Sequence, residues 1–152
     1  MSTTKRAVLA AGLAVVAIVA LAGFTYGRPM GPGHHASPEK IYKFVTFKVN
    51  DALDDLKASD GQRAQVNAVK DQLFSEAKGL FAGRKEMHEQ LVAQWNSERP
   101  DAKQVHALID QRIEEMRTFA HSAADGALKI HDVLTPEQRA QLAQDVAAHH
   151  GP

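Results

Sequence analysis

Leu134-Thr135-Pro136-Glu137-Gln138-Arg139-Ala140-Gln141-Leu142 is the stretch from which the fold can be worked out. Three helix-start signals overlap in it. The Thr135 hydroxyl can accept a bond from an otherwise orphaned backbone N–H. Pro136 falls at the first helical position, where its missing N–H costs nothing and its fixed φ suits the helix. Gln138, three residues after the cap, can reach back to the cap's own N–H and complete a capping box. Leu134 can pack on Ala140 or pin the entering chain against its neighbours. A helix is predicted from Thr135 to about Ala148.

The pattern occurs once more. Ala58-Ser59-Asp60-Gly61-Gln62-Arg63-Ala64-Gln65-Val66 aligns with it without gaps. Ser59 stands for Thr135, Gln62-Arg63-Ala64-Gln65 for Gln138-Arg139-Ala140-Gln141, and Val66 for Leu142. The proline and the leading leucine are lost. A four-residue identity behind matching caps makes this a degenerate internal repeat, with a second helix starting at Ser59.

The remaining segments are helical by the same criteria. Ser37-Pro38-Glu39 is another cap with proline at the first position, followed by Ile41, Val45, Val49, Ala52, Leu53 and Leu56 on one face. Ile41 to Val49 is rich enough in β-branched and aromatic residues to alternate as a strand, but the cap and the continuation through Leu56 favour a helix. Tyr42, Phe44 and Phe47 lie off that stripe. The second helix runs as far as Trp95, with Val66, Val69, Leu73, Ala77, Leu80, Arg84, Met87, Leu91 and Trp95 in a heptad-like step broken by Arg84. Gly79 and Gly83, each costing about 1 kcal/mol relative to Ala, mark a bend or a close crossing. Asn96 to Pro100 is a turn. Asp101, with Gln104 three residues on, caps a third helix that continues through Val105, Leu108, Ile109, Met116, Phe119, Ala123, Ala127 and Ile130. Gly126 is a candidate interruption near its end.

The N-terminus reads differently. Lys5-Arg6 precede an uninterrupted apolar or small run from Ala7 to Phe24, and Ala20-Leu21-Ala22 matches a small-x-small cleavage pattern. Residues 1–27 are therefore an export signal peptide, or a single-span membrane anchor. Both place the domain across the membrane. Residues 28–37 form a flexible Gly/Pro/His tether, residues 38–148 the helical domain, and residues 149–152 a C-terminal tail.

L-T-P-E-Q at Leu134 to Gln138, with the eroded copy around Ser59 and Gln62, resembles the LTxxQ signature of the Spy/CpxP-like periplasmic proteins, which include zinc-linked and heavy-metal-sensor relatives. Arg84-Lys85-Glu86-Met87-His88-Glu89 is similar to the charged, Met-containing stretch of that family's long middle helix, and the resemblance covers about residues 40–145. It implies an all-α fold of about four helices with long antiparallel hairpins in a cradle-like homodimer. It also implies ATP-independent holding of unfolded or misfolded envelope proteins as part of an envelope stress response. Periodicity alone implies only a helical hairpin-type domain.

Composition fits that class and excludes others. A chain of 152 residues suits one domain, and 44% hydrophobic content dominated by alanine, with 6% aromatics, suits slim helices packing closely. Net charge is zero, and loss of Lys5 and Arg6 with the export segment leaves 16 basic against 18 acidic residues. No basic stripe points to nucleic acid. The absence of cysteine removes disulfides, thiol catalysis and thiolate-bound metal.

Eight histidines are the candidate metal ligands: His34-His35 and His149-His150 in the tails, and His88, His106, His121 and His131 on helices. Imidazoles from tails meeting in an oligomer can grip zinc or another divalent transition metal. His106 with Asp110 and His121 with Asp125 place a carboxylate one turn beyond a ring. The alternative is that these histidines are simply solvated. His88-Glu89 opens like a zinc-protease motif, but Val92 occupies the place of the second histidine. No cofactor is required, and no enzyme motif is present. Glu114-Glu115 and Asp54-Asp55 diverge by about 100° on their helices and cannot share a substrate.

The remaining chemistry is recognition. Tyr42, Phe44, Phe47, Phe74, Phe81, Met87 and Trp95 are the candidate client-binding residues, although residues of this kind more often serve a core or a dimer interface. The expectation is a periplasmic, ATP-independent chaperone. The alternatives are a periplasmic metal sensor or buffer using the histidines, and an adaptor bound to a sensor-kinase ectodomain.

Overall fold

The computed structural model describes residues 37–149, of which 146–149 as backbone only. The export segment, residues 28–36 of the tether with His34 and His35, and the tail from His150 onward lie outside the described residues. Four helices follow one another: α1 (Pro38–Asp55), α2 (Asp60–Trp95), α3 (Ala102–Val133) and α4 (Pro136–His149). The described residues are all-α, as the caps and the apolar spacing require.

Each helix start is made by the residue the sequence offers for it. The Ser37 hydroxyl accepts from the Lys40 N–H at 3.4 Å. Asp101 Oδ1 accepts from the N–H groups of Lys103 and Gln104, at 2.9 and 3.3 Å. Gln94 ties the α2–α3 turn: its Oε1 accepts from the Asp101 N–H at 2.9 Å and its Nε2 donates to Gln104 Oε1 at 2.7 Å. Between α1 and α2 the chain turns at Lys57, whose φ of 50° is left-handed. The Ala58 N–H reaches back to the Leu53 carbonyl at 2.9 Å and the Lys57 N–H to that of Asp54 at 3.0 Å. These two bonds are the Schellman arrangement, here made without glycine.

α2 and α3 form an antiparallel hairpin, and α1 lies antiparallel along the first half of α2. The core is concentrated at one end. Val45, Val49, Leu53 and Leu56 pack with Val66, Leu73 and Ala77, with Phe119, Ala123 and Ile130, and with Leu134 and Leu142. Beyond Ala77 on α2 and before Phe119 on α3 no residue is fully buried. The hairpin therefore extends from the core as a two-helix arm, with Leu80, Met87, Leu91, Val105, Leu108 and Met116 half-buried.

Three sequence expectations change, and one alternative left open at Leu134 is decided. Gly126 does not interrupt α3, which runs through it to Val133. It is instead where α2 and α3 approach most closely: a Cβ there would stand 2.9 Å from Val69 Cγ1 and 3.2 Å from Leu73 Cδ1. Gly79 has open space around its Cα, and a Cβ on Gly83 would meet nothing nearer than 3.7 Å. α2 is continuous through both. Trp95 shares the phase of the α2 seam but is 85% exposed, because the hairpin has already turned away at Asn96. Leu134 is buried in the core while Ala140 is exposed, so the leucine pins the chain to its neighbours and does not staple to Ala140.

Candidate functional site

The two copies of the motif fold into the same structure and meet. Ser59 Oγ accepts from the Gln62 N–H at 3.3 Å while Gln62 Oε1 accepts from the Ser59 N–H at 2.9 Å. Thr135 and Gln138 repeat both bonds, at 3.3 and 2.9 Å. The glutamine amides then cross the gap between helix starts. Gln62 Nε2 donates to the Val133 carbonyl at 2.8 Å, and Gln138 Nε2 donates to the Leu56 carbonyl at 3.1 Å. Each glutamine thus uses acceptor and donors together, joining its own cap to the terminus of the helix that precedes the other cap.

The arginines after the glutamines act in parallel. Arg63 Nε donates to the Ala58 carbonyl at 3.0 Å and Nη2 to that of Leu53 at 3.2 Å, while Nη1 pairs with Asp54 at 2.7 Å. Arg139 Nη1 donates to the carbonyls of Leu134 and His131, both at 2.9 Å. Guanidinium groups near helix C-termini satisfy the carbonyls those ends leave orphaned. Gln141 Nε2 adds a bond to the Asp55 carbonyl at 3.4 Å. Leu134, Thr135, Pro136, Gln138, Ser59 and Gln62 therefore form one junction of four helix ends. It carries no nucleophile and no titrating pair.

A second polar cluster, marked by no motif in the sequence, joins α1 to α2. Lys70 is only 4% exposed. Its ammonium donates to Thr46 Oγ1 at 2.8 Å and Tyr42 Oη at 3.3 Å, and lies 2.9 Å from Asp71 Oδ1. It also stands 4.5 Å from the Tyr42 ring centroid. Tyr42 Oη donates to Asp71 Oδ1 at 2.7 Å. Burial pushes the Asp71 carboxyl up, but the hydrogen bonds from Tyr42 and Lys70, with the Lys70 charge, outweigh it and hold the carboxyl below its ordinary range. The signal in the sequence was phase: Lys70 stands four residues after Val66 and three before Leu73, in the seam itself.

The candidate client-binding residues separate into groups. Tyr42 and Phe74 are half-buried and face each other edge-on across α1 and α2, with centroids 5.0 Å apart. They line a shallow cleft with Pro38, Glu39, Lys43 and Lys78. Phe44 and Phe47 are exposed on the outer face of α1, at 57% and 62%. Phe81 and Trp95 are exposed on the arm, with Val92 between them and Ile109 and Ile113 on α3. Met87 is half-buried between the two arm helices. On α2, Phe81, Val92 and Trp95 continue the three- and four-residue steps of Lys70, Phe74 and Ala77. The side of α2 that α1 covers thus runs on, uncovered, to the tip of the arm.

Charges on α3 pair locally. Glu114 takes Arg117 at 2.7 Å and Glu115 takes Arg112 at 3.1 Å, one turn apart along the helix. Hydrogen bonds from Arg117 to Glu114, and from Gln111 and then Arg112 to Glu115, lower both carboxyls. The two glutamates diverge as their adjacency requires. His88, His106, His121 and His131 are exposed on helices, and His131 Nδ1 lies 3.2 Å from Asp132 Oδ1. Among the described residues no three His, Asp or Glu side chains gather within reach of one metal ion.

The sequence profile described as LTXXQ motif family protein matches residues 45–145. No curated protein and no solved structure matches the chain. The matched span begins on α1 at Val45, so it takes in Thr46, Lys70 and Asp71 but not Tyr42, and it ends within α4. It contains both caps, the junction and the whole arm.

Proposed function

Because the chain belongs to the LTXXQ motif family, which includes the Spy/CpxP-like proteins, we propose that it is a non-enzymatic periplasmic protein that holds partly unfolded polypeptides on its helical surface. The observation that supports this most directly is the uncovered seam of α2. Core packing stops at Ala77, but Phe81, Val92 and Trp95 stand in the same phase beyond it, with Lys85 and His88 at the steps between. Ile109 and Ile113 add exposed apolar area on the neighbouring helix. Exposed apolar side chains grouped on one element mark an interaction surface more often than solitary ones do.

The arm suits weak, unspecific holding. Its apolar residues are interspersed with Lys85, His88 and Glu89, so a client gains hydrophobic contact and charge steering without a shaped pocket. The half-buried Met87 adds an adaptable side chain. No step in this role needs a nucleotide or a covalent bond. A second copy docking its own arm on the same seam would give the homodimer that the family resemblance implies.

The test is aggregation of a reduced model client in the presence of the purified protein lacking residues 1–27. Near-stoichiometric suppression is expected, and replacing Phe81, Val92 and Trp95 by serine should weaken it severalfold while helix content is retained. No suppression at molar excess would overturn the proposal. Sedimentation of the same two proteins reports whether the seam also holds a second copy.

A further inference from the structure

We propose that the side of the arm continuous with α1 is a groove for an amphipathic α-helix of a client, taken up end to end with α1. The inference rests on the arm being the holding surface and adds the form of what is held. Five exposed apolar side chains reach that side from two helices. On α2, Lys70 and Phe74, which α1 covers, each stand one residue beyond a side chain packed toward α3, Val69 and Leu73. Phe81, Val92 and Trp95 stand in the same relation to Leu80, Leu91 and Gln94, and Ile109 and Ile113 on α3 to Leu108 and Arg112. Those five preceding residues are half-buried in the contact between the two helices. In an antiparallel pair, positions one step beyond the contact line lie about 100° round on either helix and face the same way. Register then closes the gap that Lys85 and His88 leave between Phe81 and Val92. Gln94 donates to Gln104 at 2.7 Å, and a Cβ on Gly83 would stand 3.7 Å from Arg112 and Glu115. This pairing sets Ile113 about level with Arg84 and Ile109 about level with His88, so α3 fills the interval.

What fits the groove follows from α1 and from the backbone. α1 lies on the same side of α2, with Tyr42 edge-on to Phe74 at 5.0 Å, and it begins at the cleft of Pro38, Phe74 and Lys78. The α1–α2 contact thus runs directly into the uncovered stretch. Among the described residues there is no strand to pair with an extended segment. Such a segment pressed on this surface would leave its N–H and C=O groups without partners, whereas a helix bonds its own. A helix laid between two others presents an apolar stripe at i, i+4, i+7 and i+11. Phe81 to Trp95 is fourteen steps, about 21 Å, room for about four turns. Charge at the rim is of both signs, with Lys85 beside Glu89 at 3.6 Å and Arg117 beside Glu114 at 2.7 Å. The helix is therefore chosen by its stripe and not by its charge.

The test uses the full chain in phosphatidylcholine nanodiscs, with empty nanodiscs as the blank. Trp95 is the single tryptophan and stands in the groove, so its emission reports occupancy. Three alanine-rich peptides without tryptophan and of equal net charge are titrated. One carries leucines at the helical spacing, one has the same residues rearranged to alternate, and one is the first with proline at its centre. The first should shift the emission to the blue and bind at least about tenfold more tightly than either of the others. Phe81→Ser, and Ile109→Ser together with Ile113→Ser, should each weaken it severalfold. Phe44→Ser with Phe47→Ser, on the outer face of α1, should leave it unchanged. Far-UV circular dichroism verifies that each variant keeps its helices. Equal binding of the helical and alternating peptides would overturn the inference and leave the holding role standing. An unchanged affinity after substitution of Ile109 and Ile113 would overturn it as well. Binding of no peptide would overturn it, and the aggregation assay then shows whether the holding role falls with it. In sedimentation, a second copy that the first peptide displaces agrees with a common groove, and one that it cannot displace would overturn the proposal.

Discussion

Gln62 Nε2 lies 2.8 Å from Gln138 Oε1, and Gln138 Nε2 lies 3.3 Å from Gln62 Oε1, although 76 residues separate them. The same offset relates Arg63 to Arg139 and the carbonyls of Ala58 and Leu134 that those arginines hold. The repeat is thus an approximate two-fold relation between two helix starts, each completing the other. Removing one amide strips its own cap of a partner and leaves a carbonyl of the opposite helix end unbonded. Gln62→Ala and Gln138→Ala should each destabilise by about 2 kcal/mol. The double variant should lose about 1 kcal/mol less than the sum, because the second substitution removes a partner already lost. Urea denaturation of the four proteins measures it, and strict additivity would contradict the coupling.

Gly126 and Gly79 should respond to alanine in opposite directions. At Gly126 a methyl group would meet Val69 and Leu73 at less than normal contact distance, and both belong to stiff, packed side chains. Gly126→Ala should cost about 1–3 kcal/mol through overpacking. Gly79→Ala enters open space within a helix and should add about 0.5–1 kcal/mol through backbone entropy. Thermal unfolding of the pair shows whether the crossing or the helix propensity decides each case.

Lys57 occupies a left-handed position that a glycine usually fills. A side chain there costs about 1 kcal/mol. Lys57→Gly should therefore stabilise the protein by up to about 1 kcal/mol, less whatever the freer unfolded chain takes back. A lower melting temperature for the glycine variant would show that the Lys57 side chain makes a contribution larger than the strain.

Asp71 links the α1–α2 cluster to pH. Its carboxyl titrates below the ordinary 3.8 in the folded protein, so the folded state favours the anion. The stabilisation is fully present above pH 3.8 and is lost as the pH falls through the lower folded value. Asp71→Asn should therefore be less stable than the parent at neutral pH, and the gap should close in acid below pH 3.8. Melting temperatures of both proteins across that range test the sign, and a gap that is constant or widens in acid would refute the assignment.

Much of the fold was legible because its signals are local. Ser37, Ser59, Asp101 and Thr135 announce helix starts through chemistry confined to three or four residues, and the helices begin where those residues stand. Lys70 was legible in phase but not in role. Its position in the seam fixes its direction, whereas Tyr42 and Thr46, which make burial of a charge tolerable, come from another helix. Gly126 illustrates the same limit. A glycine inside a helical pattern signals either a break or a close approach, and only the partner helix decides between them. The meeting of the two glutamines lay further out of reach, since each copy of the motif is complete as a cap and nothing in either one specifies its companion.

The concentration of core and junction at one end has a consequence for the length of the arm. The bonds between Gln62 and Gln138 close a loop whose far portion, from about residue 79 to 118, contributes no fully buried residue. That portion can be lengthened or trimmed by about seven residues in each strand of the hairpin, two helical turns at a time, without altering the phase of either helix at the core. The molecule is in this sense a clasp with an adjustable reach: one end is fixed by hydrogen bonds, and the length of the other is set by no buried contact.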